Sequence, residues 1–105
     1  MYERFLISKE NLLKHEGGYF KFLELSDGTY RFWMVDLGTP NHDEVQKSTG
    51  LKAVSAGQLK LPFIKGGKII MEDSYSSTLK LGVDEEGWKR LEAHLGVLVF
   101  HHWED

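Results

Sequence analysis

Two aromatic-rich runs broken by Ser26-Asp27-Gly28 constrain this chain more than any other feature. The first is Gly18-Tyr19-Phe20-Lys21-Phe22-Leu23-Glu24-Leu25. The second is Thr29-Tyr30-Arg31-Phe32-Trp33-Met34-Val35-Asp36-Leu37. Asp-Gly between such runs predicts a hairpin closed by a tight type I′ turn, with positive φ at both central residues. Side chains alternate across a strand, so Tyr30, Phe32 and Met34 share one face, and Thr29, Arg31, Trp33 and Val35 the other.

The remaining segments fit around that hairpin. Thr39-Pro40-Asn41-His42-Asp43-Glu44 reads as a helix start, with a capping Thr or Asn, proline at the first helical position and acids in the first turn. This helix ends near Thr49-Gly50. Residues 51–61 read as a strand interrupted by the small residues Ser55-Ala56-Gly57, which permit close backbone approach or a bulge. Residues 62–67 form a loop and 68–73 another strand, followed by a hydroxyl-rich connection over 74–82. Residues 84–95 are the clearest helix: Trp88, Leu91 and Leu95 share one face, acids open it and Gly96 ends it. Val97-Leu98-Val99-Phe100, apolar on both faces, predicts a central closing strand, and residues 1–8 offer one more. The expected fold is a single α+β domain over 1–105, a mostly antiparallel sheet of five or six strands with two helices.

Composition narrows the functional classes. With 105 residues, 41% apolar and 28% charged, the chain can bury a core. It has no cysteine, which excludes disulfides and zinc-thiolate sites. The net charge of −3, with acids and bases interspersed, lacks the basic stripe of a nucleic-acid binder. No stretch approaches the ~18 apolar residues of a membrane helix, and the first residues do not read as a signal peptide. A cytoplasmic location is the expectation.

His42 is the most informative titratable residue. In the first turn of a helix, free N–H groups favour an anion nearby, and the same field disfavours imidazolium, which suits a neutral base or nucleophile. On spacing alone a surface histidine is the plainer reading. Ser74-Tyr75-Ser76-Ser77-Thr78 and Lys80 could hold phosphate through backbone N–H groups and hydroxyls, although such stretches are commonly solvated turns. Adjacent His101 and His102 would point to opposite faces of a strand and so chelate no single ion. Asp84-Glu85-Glu86 reads as charge complementing a helix dipole, and Trp33 and Trp88 as core anchors.

Taken in order, these segments resemble the Janus/Ocnus family of phosphohistidine phosphatases. Gly18-Tyr19-Phe20-Lys21-Phe22 is similar to the family's Gly-x-Phe-Lys-aromatic strand. His42-Asp43-Glu44-Val45 is similar to its His-x-acid-hydrophobic helix start. Residues 68–82 follow the outline of its strand and serine-containing phosphate loop, and the resemblance spans roughly 18–103. It implies a metal-independent phosphatase without cofactor, whose partner is a phosphorylated protein or small phospho-ligand. It also implies His42 as base or nucleophile, Lys21 holding phosphate, and backbone N–H groups of Ser74, Tyr75 and Ser76 cradling it beside Gly57. The chain departs from the family where Ser55-Ala56-Gly57-Gln58 stands for a glycine triplet and arginine. Glu72-Asp73 stands for Tyr-Gly, placing two negative charges where phosphate would approach, and Glu86 matches a family histidine. Two other roles fit the residues: a non-catalytic module binding a small polar ligand or peptide near Gly57 and Ser74, and an assembly subunit pairing through a sheet edge.

Overall fold

The computed structural model describes residues 2–63 and 67–101. A short 3-10 turn (Glu3–Phe5) leads into β1 (Leu6–Ile7), α1 (Lys9–Lys14), β2 (Tyr19–Leu25) and β3 (Tyr30–Met34). Then follow α2 (His42–Thr49), β4 (Ala53–Lys60), β5 (Ile69–Asp73), β6 (Tyr75–Ser76), β7 (Leu81–Gly82), α3 (Glu85–Leu95) and β8 (Val99–His101). Six strands make one sheet in the order β1-β3-β2-β4-β5-β8, while β6 and β7 form a separate ribbon. Every pair in the sheet is antiparallel except β5–β8. The fold is α+β, as expected.

The β2–β3 hairpin forms in the register the aromatic pattern demands, with Phe22 opposite Phe32 and Lys21 opposite Trp33. Its turn differs from the expected type I′. In the loop only Gly28 takes positive φ, at 85°. Gly28 N–H donates to the Leu25 carbonyl (2.9 Å) and Leu25 N–H to the Thr29 carbonyl (2.8 Å). Asp27 Oδ1 accepts from the Thr29 N–H (3.0 Å) and hydroxyl (2.6 Å), so its side chain closes the loop while its own φ is not positive. The loop is one residue longer than a two-residue turn, which matches a type I turn followed by a left-handed glycine.

The two faces of β3 enter two cores. Phe32 joins Phe20, Phe22, Leu12, Leu59, Leu91 and Leu95 beneath α1 and α3, with Tyr30 and Met34 packed alongside. Trp33 joins Leu23, Leu25, Val45 and Ala56 beneath α2. The sheet is thus covered on both sides, and Lys21, in register with Trp33, faces the α2 side.

Two expectations need correction. Helix α1 was not foreseen: within residues 2–8 the expected strand is the two-residue β1, and Ser8 caps a six-residue helix by accepting the Asn11 N–H (3.1 Å). Six residues are too few to display helical periodicity, although Leu12 is wholly buried. The closing strand, expected to be central, is among the described residues an edge strand bonded to β5 alone. Its apolarity on both faces has a local cause: Val99 is buried in the core, while Phe100 lies under Lys68 Nζ, 4.5 Å from the ring centroid. His102 and part of the 62–67 loop lie outside the described residues.

Candidate functional site

Helix α2 places His42. The Asn41 N–H donates to Glu44 Oε1 (2.9 Å), tying the cap residue to the first turn. Pro40 precedes the cap and is not the first helical residue as expected; its carbonyl accepts the Trp33 indole N–H (2.9 Å), which fixes how the chain enters the helix. His42 therefore occupies the first helical position and turns inward.

His42 is 6% exposed, so it is not a surface histidine. It packs edge-on against Trp33, with centroids 5.5 Å apart. Its Nε2 lies 3.0 Å from the Gly57 carbonyl. A carbonyl can only accept, so the neutral ring carries its proton on Nε2 and its lone pair on Nδ1. Burial pushes the His42 pKa below the ordinary 6.5, the charge of Lys21 acts in the same direction, and the Gly57 and Phe22 carbonyls and Asp73 oppose them. The foremost cause of neutrality is burial, where the sequence pointed to the helix field.

Lys21 arrives from β2 and its Nζ donates to Asn41 Oδ1 (3.4 Å). Lys21 is in register with Gln58 of β4, and Gln58 with Asp73 of β5, so the three form a row across the sheet. A bulge opposite the Gln58–Leu59 step sets Glu72 between the paired residues and lets Asp73 meet Gln58.

A polar cavity of about 200 Å³ lies over this row. Lys21, Asn41 and His42 form one side, and Gln58 and Asp73 its sheet floor. Tyr75, Ser76, Ser77 and Thr78 close it from the loop. Of the residues singled out in the sequence, His42, Lys21, Asp73, Tyr75, Ser76, Ser77 and Thr78 line it together. Gly57 and Ser74 stand behind the wall. Gly57 supplies the carbonyl that His42 touches, and the Ser74 carbonyl accepts the Val83 N–H (2.8 Å). The glycine is sterically required: a Cβ there would sit 2.6 Å from the Asp73 carbonyl oxygen and 2.9 Å from the Phe22 ring.

The loop is not the nest of free amides expected over Ser74–Ser76. The Tyr75 N–H already donates to Asp73 Oδ1 (3.0 Å). Ser76 Oγ lies 3.2 Å from Thr78 Oγ1 and accepts the Leu79 N–H (3.4 Å). Of the two acids at 72 and 73, only Asp73 lines the cavity, and Glu72 is the extra residue of the bulge. Asn41 and Gln58 are lining residues that sequence reasoning did not select as ligand-binding groups. Gln58 was open to discovery, because the pairing that places Phe22 opposite Gly57 also sets Gln58 beside Lys21.

Among the described residues, no group of three or more His, Asp or Glu side chains is arranged to hold a metal ion, and no helix is long and apolar enough to cross a membrane. A larger depression of about 530 Å³ between the end of α1 and Val97-Leu98 is mainly apolar and contains none of the candidate residues. Comparison with family models, with curated proteins and with solved structures finds no match for this chain.

Proposed function

We propose that this protein hydrolyses a phosphoramidate, phosphohistidine or a related N-phosphoryl group, with His42 as general base or nucleophile. The observation that carries the reading is the meeting of His42, Lys21 and the 75–78 loop, three distant segments, around one small polar cavity. Lys21 would hold the phosphoryl oxygens. The lone pair on His42 Nδ1 would take a proton from water or attack phosphorus directly, and the Gly57 carbonyl would hold the ring in that tautomer. A lysine and preset donors around the phosphoryl group would stabilise its transition-state charge. The test is release of inorganic phosphate from phosphohistidine and phosphoramidate by the parent and by His42→Ala. A loss of about 10²-fold or more in the variant supports the reading; equal rates, or no turnover by the parent, would overturn it.

One observation favours a second reading, a non-catalytic module for a small polar ligand. Asp73 puts a carboxylate on the cavity floor and engages the Tyr75 amide that a phosphate cradle would use. Binding of a phospho-ligand without turnover would select this alternative.

A further inference from the structure

We infer that Asp73 makes the cavity selective for phosphoryl groups carried on a protonated primary-amine nitrogen, such as phosphoramidate and N-phospholysine, over plain phosphate and phosphate esters. The inference rests on reading the cavity as a phosphoryl site and adds which phosphoryl compounds it takes. Lys21 and Asp73 flank Gln58 in a three-strand row. Adjacent strands lie roughly 4.8 Å apart, so the two backbone positions are separated by about two strand spacings. Both side chains line the same cavity. The floor is therefore dipolar, with an ammonium at one end and a carboxylate at the other.

A phosphate ester or free phosphate brings only negative charge. It gains at Lys21 and is repelled by Asp73, the kind of arrangement by which a site rejects an unwanted ligand. A protonated N-phosphoryl group carries positive charge one bond from the phosphorus and matches both ends. Asp73 is held for this role: Oδ1 accepts the Tyr75 N–H at 3.0 Å, which fixes the carboxyl group at the cavity wall. In the reaction, water oxygen bonds to phosphorus as the P–N bond breaks, and the electron pair of that bond stays on nitrogen. The nitrogen already bears its proton and leaves as a neutral amine. His42 accepts one water proton and returns it to the medium, and the other remains on the phosphate released. No oxidant, reductant or further reactant is needed.

The decisive measurement uses stable probes, so that it does not depend on turnover. Calorimetric titration compares aminomethylphosphonate, which carries an ammonium, with methylphosphonate, which does not, on the parent and on Asp73→Asn. Asparagine preserves the acceptor for the Tyr75 N–H and removes the charge. The expected result is a preference of at least tenfold for the amine in the parent, reduced to less than threefold in the variant. An absent preference in the parent, a preference kept by Asp73→Asn, or no binding of either phosphonate would overturn the inference. Phosphate release by the parent and His42→Ala tests the hydrolytic reading separately. An amine preference without turnover would retire the enzyme and leave the selectivity standing, whereas turnover without preference would do the reverse.

Discussion

The imidazole of His42 spans fifteen residues of chain to meet the carbonyl of Gly57, with Nε2 and oxygen 3.0 Å apart. This bond fixes the tautomer and joins helix α2 to the middle of the sheet. His42→Ala removes the bond and empties a buried site beside Trp33, so we expect a stability loss of about 1–3 kcal/mol in urea unfolding. His42→Gln keeps a donor for the carbonyl and lacks the titrating lone pair. It should recover part of the stability and none of the turnover. Recovery of both by glutamine would remove His42 from the chemistry.

Acid should weaken the fold and the reaction through the same ring. The buried His42 has its pKa below the ordinary 6.5. Between those two values the unfolded chain binds a proton that the folded chain does not, so stability falls as pH drops through that window. Activity that needs neutral His42 should show an acidic limb in kcat/KM with a midpoint below 6.5. A midpoint above it would mean that the ring is not held neutral by burial.

Gly57→Ala tests the packing behind the site. The added methyl would fall 2.6 Å from the Asp73 carbonyl oxygen, a backbone atom that moves only if β5 moves. Overpacking of this kind costs typically about 1–3 kcal/mol. Because Gly57 carries the carbonyl that holds His42, turnover should fall alongside the urea midpoint. An alanine variant as stable and as active as the parent would show that the β4–β5 contact is looser than described.

Lys21→Gln should leave the fold nearly unchanged, since the lysine is only partly buried and its one described side-chain bond is the long contact to Asn41. Titration with methylphosphonate should weaken by tenfold or more if Lys21 supplies the charge that holds the phosphoryl group. Equal affinity in parent and variant would move the anion's position elsewhere in the cavity.

The elements with strong local signals were legible in the sequence: the hairpin from its aromatic alternation, α2 and α3 from their opening acids and the left-handed glycines Gly50 and Gly96 that end them. What local pattern could not resolve was pairing. Val99 and Phe100 read as two buried faces because a core residue and an exposed aromatic that meets a lysine look alike in sequence. The same limit applies to the site. His42 and Lys21 stand out by residue type and context, and they do line one cavity. Gln58 enters only through register, and Asp73, which the resemblance already placed where phosphate would approach, is brought opposite Gln58 by a bulge at Glu72 that no turn residue announces.

An ion pair between buried Glu24 and the half-exposed Arg90, on the opposite face, gives a prediction independent of the site. Glu24 is 4% exposed and accepts from Arg90 Nε (2.6 Å) and Nη2 (3.0 Å) and from Ser55 Oγ (2.8 Å). Burial alone would raise its pKa; the bonds from Arg90 and Ser55 outweigh it and hold the carboxyl below the ordinary 4.5. Arg90→Ala leaves the carboxylate buried without its guanidinium partner, which should cost about 1.5–3 kcal/mol near neutral pH, the range for a hydrogen bond to a charged group. The depressed pKa means that the pair's contribution is fully present above 4.5 and is lost as the pH falls through the folded value. The gap in stability between parent and variant should therefore narrow on acidification below that point. A gap of the same size at pH 7 and at acid pH would assign the loss to packing of the arginine stem, and the charge of Glu24 would have no part in it.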